Sequence, residues 1–71
     1  MNEFVTVDVP VVLIESELPL SCKSRAIAAW VAWHTLPEDS VDPIRDTRKL
    51  FHWSEKSMME VLSQWQSLGL N

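Results

Sequence analysis

The 71-residue sequence contains one cysteine, one glycine and no tyrosine. One cysteine excludes a disulfide within the chain and favours a reducing compartment, so we predict a cytoplasmic protein. One glycine indicates few loops and closely packed elements. The chain also has no apolar run near the roughly 18 residues of a membrane-spanning helix, and no basic, apolar leader opens it. We therefore expect no association with a membrane.

Positive charge is missing from residues 1–20, where every charged side chain is acidic. The whole chain has a net charge of -4 at pH 7. Affinity for duplex DNA comes largely from neutralised phosphates, and a dedicated DNA-binding protein usually has a basic face. The basic cluster here is modest and comprises Arg45, Arg48, Lys49 and Lys56. This charge pattern disfavours nucleic acid as the main partner.

The residues that usually carry catalysis or bind metals are few and scattered. Cys22, His34 and His52 lack the compact pairing of zinc ligands. Cys22 is predicted to lie in the first turn of a helix, which stabilises a thiolate, but no histidine or aspartate at a recognisable spacing completes a nucleophile. We therefore predict that the protein is not an enzyme and has no metal or cofactor.

The composition that remains is that of a globular protein, with 46% hydrophobic and 23% charged residues, and the length predicts one domain over residues 1–71. Residues 4–9, FVTVDV, alternate valine with polar side chains and predict a short strand with one buried face. Pro10 ends that strand or places it at the edge of a sheet. The following VVLIES forms either a single helical turn or more extended chain.

Three helices are predicted after this segment. The first lies within residues 18–35, with Ser21 as N-cap and a stop enforced by Pro37. Its inward stripe is Ala26, Ile27, Trp30, Trp33 and His34. The second begins at Asp42 and Pro43 and ends near His52. Its inward side chains are Ile44, Thr47, Leu50 and Phe51.

The third predicted helix is capped by Ser54 and has one continuous apolar face. That face is formed by Met58, Val61, Leu62, Trp65 and Leu68. Gly69 supplies a left-handed residue just past the helix, and Leu70 folds back onto its last turn. The predicted fold is therefore mainly α, with a short N-terminal strand before three helices.

This order resembles the winged helix-turn-helix domains of bacterial, phage and plasmid replication and transcription proteins. The resemblance is carried by VP at 9–10, by ELPLSCKSRA at 17–26 and by VLSQWQSLGL at 61–70. It implies a three-helix helix-turn-helix core in which residues 54–68 are the recognition helix. No wing is evident, because only Asn71 follows Leu70.

The resemblance leaves two functions open. In the first, a small acidic module regulates transcription or replication through a protein partner in that machinery. In the second, the third helix binds duplex DNA directly, with basic side chains on phosphates and polar ones toward bases. The side chains expected to contact DNA are Arg45, Arg48, Lys49, Lys56, Ser63 and Gln64.

Several features favour the protein partner. Trp53 precedes the Ser54 cap, where it either packs on the start of the helix or serves as an exposed anchor. Met59 adjoins Met58 and is expected to be exposed. The lone N-terminal strand either packs on the helices alone or pairs with a strand of a second chain, and a second copy of this chain in a homodimer is one such partner. The residues expected to contact the partner are Phe4, Val5, Asp8, Glu15, Glu17, Trp53 and Met59.

Overall fold

The computed structural model describes residues 6–70. Within that range the chain forms four helices, α1 (Val11–Ile14), α2 (Leu20–His34), α3 (Pro43–Phe51) and α4 (Glu55–Ser67). The described residues contain no strand, and the predicted mainly α class is confirmed. No helix in residues 6–70 has the length and apolar character needed to cross a bilayer.

The predicted N-terminal strand is not supported. Phe4 and Val5 lie outside the described residues, and residues 6–10 have no regular secondary structure. A strand fills its backbone hydrogen bonds from a neighbouring strand, and the described residues provide none. Instead, the indole N–H of Trp30 donates to the backbone carbonyl of Asp8 at 3.0 Å. A side chain of α2 therefore holds this segment in place.

The segment after Pro10 forms the single helical turn that was one of its two predicted states. In α1, Leu13 is completely buried in the core, whereas Val11 and Ile14 are half exposed or more. One buried side chain therefore docks this turn on the rest of the molecule.

The N-cap of helix α2 lies two residues before the predicted one. Pro19 occupies the N-cap position, with φ -53° and ψ 147°, and no side chain in the described part of the chain forms a capping hydrogen bond with the helix. The prediction of Ser21 as N-cap was therefore wrong. The carbonyl of Pro19 accepts the first helical bond from the N–H of Lys23 at 2.8 Å. Because proline already has a fixed φ and an extended ψ, it directs the chain into the helix without a side-chain acceptor.

Helix α3 has the predicted start but a different inward face. The N–H of Arg45 donates to Asp42 Oδ1 at 3.1 Å, and Pro43 follows as the first helical residue. Thr47 is completely buried, but Leu50 is 59% exposed and Ile44 is 38% exposed. The prediction that both apolar side chains face inward was wrong, because the side of α3 that packs on the rest of the molecule buries only Thr47.

Helix α4 has the predicted cap at each end. The Oγ of Ser54 accepts the N–H of Ser57 at 3.2 Å. After the helix, Gly69 has a φ of +80°, and the N–H of Leu70 donates to the Trp65 carbonyl at 2.8 Å. This pattern is a Schellman motif, in which a left-handed residue closes the last turn.

The core lies where α2 packs on α4. Trp65 and Val61 from α4 meet the buried alanines of α2, and Leu13 completes the cluster. Ala26 and Ala29 are completely buried, so their small side chains let the large indole of Trp65 approach the α2 backbone. The predicted apolar face of α4 is confirmed, with Met58, Val61 and Trp65 buried.

A left-handed residue between α3 and α4 yields a stability prediction. The side chain of His52 is exposed. Its φ of 56° lies in the left-handed region of backbone conformation, which disfavours every residue with a Cβ. We expect His52→Gly to raise the free energy of unfolding by about 0.5–1 kcal/mol in urea denaturation. His52→Ala is the matched control and should give no such gain. Equal changes in the free energy of unfolding for both substitutions would contradict the left-handed backbone of His52 as the cause of the gain.

Candidate functional site

Helices α3 and α4 are joined by residues 52–54. The left-handed backbone of His52 ends α3, and the N–H of Trp53 donates to the Arg48 carbonyl at 3.1 Å. Ser54 then caps α4 directly. Three residues are thus enough to stop one helix and start the next, and both helices pack on α2.

Trp53 is half-buried in this connection. Its ring stacks on Phe51 with centroids 4.4 Å apart and planes inclined by 18°. The guanidinium carbon of Arg25, on α2, lies 5.8 Å from the Trp53 ring centroid, which is within the range of a cation–π contact. Trp53 also packs against the core cluster. The two roles predicted for Trp53, packing on the start of the helix or serving as an exposed anchor, both stay predictions.

Arg25 connects Trp53 to the outer side of α4. Its Nη1 is 3.9 Å from Glu60 Oε2, with both side chains at least 36% exposed. Such an exposed pair contributes at most about 1 kcal/mol, so it orients more than it stabilises. The adjacent Met59 is 53% exposed. We call Arg25, Phe51, Trp53, Met59 and Glu60 the turn surface.

The predicted protein-contact residues fall on two parts of the molecule. Trp53 and Met59 belong to the turn surface. Asp8, Glu15 and Glu17 are exposed on the segment before α2. The remaining two, Phe4 and Val5, lie outside the described residues.

The predicted DNA-contact residues are divided between α3 and α4. Arg45 and Lys49 are exposed and Arg48 is half-buried on α3. The Nε of Arg45 lies 3.5 Å from Asp46 Oδ1, so part of its charge is balanced. On α4, Lys56 and Ser63 are exposed, but the Oε1 of Gln64 is buried and has no hydrogen-bond partner among the described residues.

A second feature lies at the opposite half of α2. A cleft of about 330 Å³ opens between α2 and the end of α4. It is lined by Trp30, Trp33, His34, Leu62, Trp65, Gln66 and Leu70. The sequence pattern assigned the tryptophans to core stripes, and Trp30 and Trp33 are in fact only partly buried. Their spacing of three on α2, followed by His34, was the signal for an aromatic cluster.

The connection before α3 is held by one short polar contact. Ser40 Oγ donates to Asp46 Oδ2 at 2.6 Å. This hydrogen bond is the main reason that the pKa of Asp46 lies below its ordinary value of 3.8, and the positive charges of Arg45 and Lys49 lower it further. Asp46 thus links the loop to α3, and its carboxylate has a structural role.

Among residues 6–70, no group of three or more histidine, cysteine, aspartate or glutamate side chains is arranged to hold a metal ion. The chain was also compared with protein-family models, curated proteins and solved structures, and nothing matches.

The contact between Ser40 and Asp46 predicts a pH-dependent effect. Because the folded-state pKa of Asp46 is lowered, its stabilising contribution is complete above the ordinary value of 3.8 and is lost as the pH falls through the lowered value. We expect Ser40→Ala to reduce the free energy of unfolding at neutral pH, with the difference narrowing below about pH 4 and closing in stronger acid. Urea denaturation across this range measures the effect.

Asp46→Asn provides the control for this measurement, because it removes the titrating group. In that background the effect of Ser40→Ala should not vary with pH. A difference between Ser40→Ala and the unsubstituted chain that stays constant into strong acid would contradict the assignment.

Proposed function

We propose that this chain is a small acidic helix-turn-helix-type module that acts through a protein partner. By the resemblance described above, the partner belongs to transcription or replication machinery. The observation that supports this proposal is the outward side of α4. This side is polar with one exposed methionine, and it has two carboxylates against one lysine, where a helix that contacts DNA would usually be basic.

The buried side of α4 fixes which residues face outward. Met58, Val61 and Trp65 occupy the core, so the opposite side is set by helical periodicity. The exposed residues of this helix are Glu55, Lys56, Met59, Glu60, Ser63, Gln66 and Ser67. Two carboxylates therefore accompany a single lysine. Near phosphates these carboxylates would be repelled, whereas a protein surface can match both the charge and the methionine.

The turn surface provides an anchor beside this helix. Trp53 is held by Phe51 and Arg25, so little side-chain entropy remains to be lost on binding. Tryptophan and arginine are the residue types most enriched at binding hot spots. A rigid, half-exposed tryptophan that Arg25 connects to Glu60 suits a partner with an apolar pocket and a basic rim.

The N-terminal segment is proposed as a second contact. In the proposal, residues 4–9 form a strand only when a partner supplies a strand to pair with, and a second copy of this chain is one candidate. Asp8, Glu15 and Glu17 would favour a basic partner surface and would raise the association rate more than the affinity.

Direct DNA binding is the second candidate function, favoured by the positive charge on α3. Arg45 and Lys49 are exposed on the helix that precedes the turn, and Lys56 lies in the first turn of α4. These cations could contact phosphates, with Ser63 toward base edges. The two functions therefore depend on side chains of opposite charge, and charge reversal separates them.

We expect opposite outcomes from two matched substitutions, Glu60→Lys on α4 and Lys49→Glu on α3. If a protein is the partner, Glu60→Lys and Trp53→Ala should abolish its capture by the immobilised protein, while Lys49→Glu retains it. The captured protein should be identified by mass spectrometry as a component of transcription or replication machinery. Loss of capture with Lys49→Glu but not with Glu60→Lys would contradict the turn surface as the contact.

Fluorescence anisotropy with a random DNA duplex tests the second candidate on the same variants. If the chain binds DNA, its affinity should fall steeply between about 50 and 200 mM salt. The affinity should also decrease with Lys49→Glu and increase with Glu60→Lys. We expect no binding at the lower salt concentration. Salt-dependent binding with this pattern would contradict the protein-partner proposal and support direct DNA binding.

A further inference from the structure

We propose that the aromatic cleft between α2 and α4 binds a planar, uncharged heteroaromatic small molecule that carries an N–H donor. The lining residues include none of the turn surface. The inference therefore goes beyond the proposed function and does not depend on it.

Three indole rings form the walls of the cleft. The Trp30 and Trp65 ring centroids are 5.3 Å apart with planes at 81°, and those of Trp33 and Trp65 are 5.8 Å apart with planes at 85°. Aromatic rings favour such edge-to-face contacts, and a flat ligand ring can continue the pattern or stack on an open face. The volume of about 330 Å³ lies at the lower end of the range for small-molecule sites and suits a ligand of one or two fused rings.

Two of these walls are held in place by their own N–H groups. Trp65 Nε1 donates to the Ala26 carbonyl at 3.2 Å, and Trp30 Nε1 donates to the Asp8 carbonyl at 3.0 Å. Trp65 is only 5% exposed, which makes it the fixed floor of the cleft. The site is therefore formed before any ligand arrives, which lowers the entropic cost of binding.

His34 gives the cleft a polar group of defined character. Its ring stacks on Trp30, with centroids 4.5 Å apart and planes inclined by 29°. Its Nδ1 lies 2.9 Å from the Trp30 carbonyl. A carbonyl oxygen only accepts, so this contact favours the tautomer with its proton on Nδ1, in which Nε2 can accept a hydrogen bond. His34 lines the cleft, and in the proposal a ligand N–H donates to this nitrogen.

The rest of the lining excludes strongly charged ligands. Among residues 6–70, the lining apart from His34 is apolar or aromatic except for Gln66, which has an uncharged amide. An ionised ligand would lose water there without gaining an opposite charge. A quaternary ammonium ion is the one exception to consider, because aromatic rings attract it directly. The His34 imidazole and the Gln66 amide oxygen are both uncharged acceptors, and they favour a neutral N–H donor instead.

Indole is a suitable probe, with N-methylindole and tetramethylammonium as comparisons. The four tryptophans allow binding to be followed through their indole N–H resonances in 15N-labelled protein. We expect saturable shifts of the Trp30, Trp33 and Trp65 resonances with indole, and no shift of the Trp53 resonance, which reports on the turn surface. N-methylindole, which lacks the donor, should bind about three- to tenfold more weakly.

The substitution His34→Phe keeps a ring to stack on Trp30 and removes Nε2. His34 is exposed, so we expect the variant to fold, and unchanged dispersion of the NMR spectrum would verify this. The variant should bind indole about three- to tenfold more weakly than the unsubstituted chain does, which is the affinity expected for N-methylindole. The affinity for N-methylindole should be the same in the variant and in the unsubstituted chain. The proposal would be overturned by the absence of saturable binding, by tighter binding of tetramethylammonium, or by equal binding of both indoles before and after the substitution.

Discussion

The packing of Trp65 against α2 is the interaction on which the other features depend. Its ring is 5% exposed, its N–H donates to the Ala26 carbonyl at 3.2 Å, and Trp30 and Trp33 meet it edge to face. The completely buried Ala29 leaves the space that the ring needs. A chain of this length buries only about 60% of its unfolded surface on folding. One large, well-packed side chain therefore contributes a large share of the free energy of unfolding.

Both candidate surfaces follow from this contact. Because Trp65 fixes the rotation of α4, Met59 and Glu60 face outward, and Glu60 reaches Arg25 beside Trp53. At the other end of α2, the same indole is the floor of the aromatic cleft. The turn surface and the cleft are thus two consequences of a single register between α2 and α4.

Local signals in the sequence predicted most of the helical architecture. Asp42 with Pro43, Ser54 and Gly69 act through their nearest neighbours, so their effects are readable from the chain alone. The sequence analysis did not predict the left-handed backbone of His52 or the N-cap role of Pro19, because histidine and proline have only a weak preference for those positions. Contacts between distant residues, such as Arg25 with Trp53 and Trp30 with Asp8, have no local pattern. The turn surface and the cleft depend on such contacts.

Replacing each tryptophan of the α2–α4 contact by phenylalanine, one at a time, tests the central role of Trp65 most directly. Trp65→Phe removes a buried N–H donor together with part of a buried ring, and we predict a loss of about 2–3 kcal/mol in the free energy of unfolding measured in urea. Trp33→Phe, at a half-buried position, should cost less than about 1 kcal/mol. A loss for Trp65→Phe no larger than that for Trp33→Phe would contradict the account.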